Sequence, residues 1–147
     1  MTRSRRSSAL LAASLLGVAT GMRSLLPLAV LSTTRGRRPR LRALLLPLAA
    51  TELVGDKLPQ TPSRLGPVPL TFRLFAGGLG AAWLVPARRS VPLVLAGAAG
   101  ALAGAVLGAR ARSRIPAATG TPDLPWAVLE DLTAATLTGA AMQLAPV

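Results

Sequence analysis

Charge and apolar residues are sorted along this chain in a way that water-soluble domains do not use. Four of its five acidic residues, Glu52, Asp56, Glu130 and Asp131, lie inside or at the edge of strongly apolar stretches, while nearly all of its seventeen basic residues fill the short segments between those stretches. A soluble surface interleaves both signs. A chain crossing a bilayer places arginine at its interfaces and keeps carboxylates only where a partner, a cavity or an ion stabilises them, because a carboxylate at membrane depth costs ~2.5–3.5 kcal/mol on insertion scales. The pattern therefore predicts a multi-pass protein of the plasma membrane.

Composition agrees. Apolar residues make up 51% and charged residues 15% of 147 residues, enough for one membrane domain over residues 1–147 and too little for two. Aromatics are only 3%, so Ala, Leu and Gly carry the apolar content, as in closely packed membrane helices. A formal charge of +12 could suggest nucleic acid, but a nucleic-acid domain presents its basic surface on a soluble fold, usually with stacking aromatics; no nucleic-acid partner is expected. Cysteine and histidine are absent. That excludes disulfides, thiol chemistry, thiolate or imidazole zinc sites and histidine acid–base catalysis.

Five apolar spans are expected, at residues 9–31, 43–58, 74–85, 91–109 and 126–145. The first follows Arg3, Arg5 and Arg6 and imitates a signal peptide, but apolar sequence continues past the would-be cleavage point, so retention is expected. Arg35, Arg37, Arg38, Arg40 and Arg42 form a basic break suited to the anionic headgroups of membrane lipids. Pro59, Pro62, Pro67 and Pro69 make residues 59–73 read as an extended connection. Arg110, Arg112 and Arg114 close the fourth span, and a proline-containing loop is expected after them. The fold class is all-α: a polytopic transmembrane bundle of about four to five short helices.

Within the fourth span Ala96, Gly100, Gly104 and Gly108 recur every fourth residue on one helix face, where another backbone can approach closely. The same face would serve a homo-oligomer. A loose internal repeat pairs the Gly17–Gly21–Arg23 spacing with Gly104–Gly108–Arg110, giving two related halves at about 9–58 and 91–146, as in transporters built from paired halves. Five alternating crossings put nine basic residues on one side and seven on the other, a near balance that leaves orientation undecided; a first span that breaks near Arg23 and Pro27 and dips in without crossing would change the count.

The candidate site gathers Arg23, Glu52, Asp56, Lys57, Arg64, Glu130 and Asp131. Glu52 and Asp56, four apart, share a helix face; Lys57 and Arg64 can neutralise them locally; Arg23, in mid-span, needs an internal anion. Carboxylates without soft ligands suit protons or hard cations such as sodium or magnesium, and no other cofactor is expected. At these residues the chain resembles a family. Thr20-Gly21-Met22-Arg23-Ser24 with Pro27, the Glu52, Asp56-Lys57 and Pro59 stretch running on to Thr61-Pro62-Ser63-Arg64, and Leu129-Glu130-Asp131 resemble the small bacterial integral membrane proteins catalogued as domain of unknown function 4126. The resemblance implies a polytopic helical membrane protein with these polar residues as family features, and no activity. Three functions compete: a transporter- or channel-like protein for an ion or small polar solute, a membrane enzyme acting on lipid-linked phosphate through Thr61, Ser63 and Arg64, and a non-catalytic scaffold.

Overall fold

A computed structural model describes residues 3–34, 39–55, 65–85 and 90–145. Those residues form six helices and no strand: α1 (Arg3–Met22), α2 (Leu26–Thr34), α3 (Pro39–Gly55), α4 (Pro67–Leu84), α5 (Val91–Thr119) and α6 (Asp123–Leu144). The sixth helix arises because the first expected span is broken in two at residues 23–25. Pro27 has no N–H to give to a continuous helix and fits the first turn of a new one; α3 and α5 run on through Pro47 and Pro116, so the break also depends on the groups that cap it.

Other boundaries differ from the sequence expectation; α3 starts at Pro39, so Arg40 and Arg42, expected in the basic break, are helical, and α6 starts at Asp123 rather than at residue 126. The connection expected over residues 59–73 becomes helical from Pro67, because Pro67 and Pro69 fall in the first turn of α4, where no intrahelical N–H is needed. The fourth span does not stop at residue 109. α5 continues through Arg110, Arg112 and Arg114, residues with good helix propensity, and ends at Gly120, whose φ of 66° is left-handed. Among the described residues, α5 is the one helix long and apolar enough to cross a membrane by length and composition. The others are short or interrupted by charge.

Small residues set the helix packing. A Cβ added to Gly104 would lie 2.9 Å from the Val18 carbonyl carbon, and one at Gly100 would lie 3.0 Å from the Val18 nitrogen. Gly17 meets Gly97, and Gly21 meets Ala101 and Ala105, in the same way. α1 and α5, the helices carrying the two similar motifs, thus touch backbone to backbone within one chain, and residue numbers rise together on both, so they run parallel. Gly108 is buried on the same helix. Unlike α1, α5 does not break after its motif. Gly77 and Gly97 bring α4 onto the same seam, with Gly78 against Val94 and Gly80 against Leu16; these pairings make α4 antiparallel to both α1 and α5.

α2 turns back rather than onward. Leu16 of α1 and Leu28 of α2 both lie beside Gly80, and the Thr34 hydroxyl at the far end of α2 is 3.8 Å from Sδ of Met142, near the end of α6. α1 and α2 therefore form a V with its tip at residues 23–25.

Candidate functional site

Breaking a helix leaves the last carbonyls of one piece and the first N–H groups of the next without intrahelical partners. In this chain other helices supply them. Arg73 of α4, buried at 5% exposure, donates from Nη1 to the carbonyls of Gly21 (2.7 Å) and Met22 (3.0 Å). Glu52 of α3 accepts from the backbone N–H of Ser24 (2.7 Å) on one carboxylate oxygen and of Leu25 (2.8 Å) on the other. A cation sits at the carbonyl end of α1 and an anion at the N–H end of α2, so each complements a helix dipole as well as a hydrogen-bonding need.

Arg23, between the two caps, has no exposed surface. Its own N–H closes the last turn of α1 on the Ala19 carbonyl at 2.9 Å, which fixes where the side chain leaves the backbone. The guanidinium Nε donates to Asp131, and Nη2 lies 3.5 Å from the Glu130 carboxylate. Glu130 and Asp131 are successive residues on α6, about 100° apart around the helix, and one planar fork reaches both. Mid-span Arg23 thus meets the anions its position demands.

Of the seven residues chosen from sequence, Arg23, Glu52, Glu130 and Asp131 converge on the break. Asp56, Lys57 and Arg64 lie outside the described residues. The acids do not share one role: Glu52 holds backbone, whereas Glu130 and Asp131 hold Arg23. Sequence reasoning missed Arg73 by assigning it to a connection. Its signal was positional, since Arg73, Gly77 and Gly80 fall at i, i+4 and i+7, one helix face, with the two glycines in the closest helix contacts. It also passed over Asp123, which pairs with Arg112 (Nε to Oδ1, 3.1 Å) and clips α5 to α6.

A cavity of about 270 Å³ lies between α5 and α6. Met22, Gly108, Leu129 and Trp126 are among its apolar walls, Arg112 stands in its lining, and Glu130 links it to the Arg23 cluster. At the break Arg23 faces Glu130 and Asp131, whereas Arg73 and Glu52 bind backbone groups. No group of three side chains suited to a metal ion occurs among the described residues. The chemistry present is that of carboxylates competing for one guanidinium beside an apolar cavity.

Comparison with protein families, curated proteins and solved structures finds no match.

Proposed function

We propose that this chain is a small multi-pass membrane protein that passes a proton or a small hard cation, Glu130 exchanging its contact with Arg23 for the incoming charge. The observation that carries the reading is that two successive carboxylates, Glu130 and Asp131, share the buried guanidinium of Arg23 at a helix break while Glu130 also lines a cavity. A buried ion pair depends on both of its partners, so a cation that reaches Glu130 through the cavity competes directly with Arg23. Asp131 can retain Arg23 meanwhile, which keeps the break closed.

The membrane part is supported by an inverted distribution of polarity. Arg23, Arg73, Glu130, Thr20 and Thr138 are buried, whereas Val68 (78% exposed), Phe75 (68%), Leu95 (62%) and Leu132 (60%) face outward. A monomer in water rarely exposes so much apolar surface; in lipid it is the expected exterior, and helices pack through small residues as they do here. Irregular backbone at membrane depth is tolerated when protein covers it, which is the situation of residues 23–25.

Reconstitution into liposomes tests the reading. The parent should dissipate a proton or sodium gradient faster than empty vesicles, and Glu130→Gln should abolish that flux while remaining folded in detergent. A parent without flux, or a Glu130→Gln protein that conducts like the parent, overturns it. The scaffold reading draws on a specific observation too, since Glu52 and Arg73 bind only backbone and hold the fold static; absence of flux in a folded, membrane-inserted protein would favour it.

A further inference from the structure

Helix directions decide which connections share an end of the bundle. α1 and α5 start at one end, which we call the near end. α2 returns to it, because its tip is shared with α1 and Thr34 reaches Met142. α3 leaves it and brings Glu52 to the tip. α4 starts beside the tip, where Arg73 meets Gly21, and comes back. α5 passes the tip and runs on to Gly120, and α6 brings the chain back, lining the cavity opposite α5 with Leu129 and Thr133 on the way. The start of α1, the end of α2, the start of α3, the end of α4, the start of α5 and the end of α6 therefore gather at the near end. The end of α3, the start of α4, the turn from α5 to α6, the tip and the cavity lie toward the far end.

This sorting changes the charge count. Read along the sequence, the helix ends that meet at the near end and the stretches joining them contain Arg3, Arg5, Arg6, Arg35, Arg37, Arg38, Arg40, Arg42, Arg88 and Arg89 and no acid. The remaining sequence contains Arg23, Lys57, Arg64, Arg73, Arg110, Arg112 and Arg114, together with all five acids. Ten basic residues without an acid stand against seven accompanied by five acids. The balance of nine and seven expected from five crossings came from treating the first span as one crossing, which sets Arg3, Arg5 and Arg6 opposite the basic break at 35–42; the V of α1 and α2 puts them on the same side.

We infer that the near end rests on the anionic leaflet of the membrane, with its arginines among acidic lipid headgroups, and that the cavity beside Glu130 is approached from the opposite side. This rests on the membrane reading above. The physical cause is the positive-inside bias, which acts through Lys and Arg in short connections and hardly through acids, reinforced by attraction of basic segments to anionic lipid within a Debye length.

The chain has no cysteine, so single replacements report their own position. Ser7→Cys, Thr33→Cys and Ser90→Cys mark the near end and Ala118→Cys the far end, all at exposed positions. In right-side-out spheroplasts a membrane-impermeant maleimide should label Ala118→Cys directly, and the other three only after permeabilisation. Opposite labelling of Ser7→Cys and Thr33→Cys would overturn the V, and an inverted or evenly mixed pattern would overturn the orientation. Recovery of the unlabelled parent in the soluble fraction without detergent would remove the membrane reading itself, a failure seen before any labelling.

Discussion

Glu52→Gln separates a carboxylate that holds backbone from one that handles a ligand. In the parent each Glu52 oxygen accepts one N–H, from Ser24 at 2.7 Å and Leu25 at 2.8 Å. The amide keeps one oxygen and turns an NH2 group toward the second donor. One charge-assisted bond, worth ~1.5–3 kcal/mol, becomes a neutral one near ~1 kcal/mol, and the other N–H loses its partner at a cost of about 1–3 kcal/mol. Glu52 is only half buried, so water offsets part of this, and a loss of roughly 2–3 kcal/mol is expected. At about 2–4 °C per kcal/mol for a chain of this size, the melting temperature in detergent should fall by roughly 5–10 °C. Circular dichroism or the fluorescence of Trp83 and Trp126 can follow it. Asp123→Asn is the control: Asp123 is half exposed and pairs with Arg112 near the bundle end, where such pairs contribute about 0–1 kcal/mol. If Glu52→Gln melts within a degree of the parent, or no lower than Asp123→Asn, then Glu52 does not cap α2 and the account of the break is wrong.

Gly104→Leu should separate α1 from α5, because the new side chain meets Val18 backbone rather than a movable side chain; a loss of at least ~1–3 kcal/mol is expected from overpacking, against little change for Leu107→Ile at an exposed position, both read by thermal unfolding. Arg73→Met keeps most of the side-chain volume but frees the Gly21 and Met22 carbonyls, so it should destabilise by about 2–4 kcal/mol, whereas Arg110→Met, at an exposed site on α5, should be near neutral in the same assay.

Residue chemistry alone was enough for the helical class and the small-residue seam, and it singled out four residues that meet at the break, Arg23, Glu52, Glu130 and Asp131. The period of Gly100 and Gly104 is local, and one helix turn converts it into a face. Arg23 within an apolar run demands an anion whatever the fold, and the chain contains only five. The second helix was legible less directly: Pro27 disfavours a continuous helix, yet nothing near it states whether the chain goes on or turns back.

Tertiary structure decided that question, and with it the roles of the acids. Glu52 and Glu130 look alike in sequence, each a carboxylate in an apolar stretch. One lies against the exposed N–H groups of α2 and the other against Arg23, because α3 and α6 reach the break from different sides. Arg73 was obscured by the neighbouring prolines, whose effect depends on falling in a first helical turn rather than inside a helix. The proposed orientation rests on the direction of α2, a property of contacts among Leu16, Leu28 and Gly80 and between Thr34 and Met142 that are distant in sequence. Local spacing fixes what each segment offers and requires; only the packed chain determines which requirement is met by which distant group.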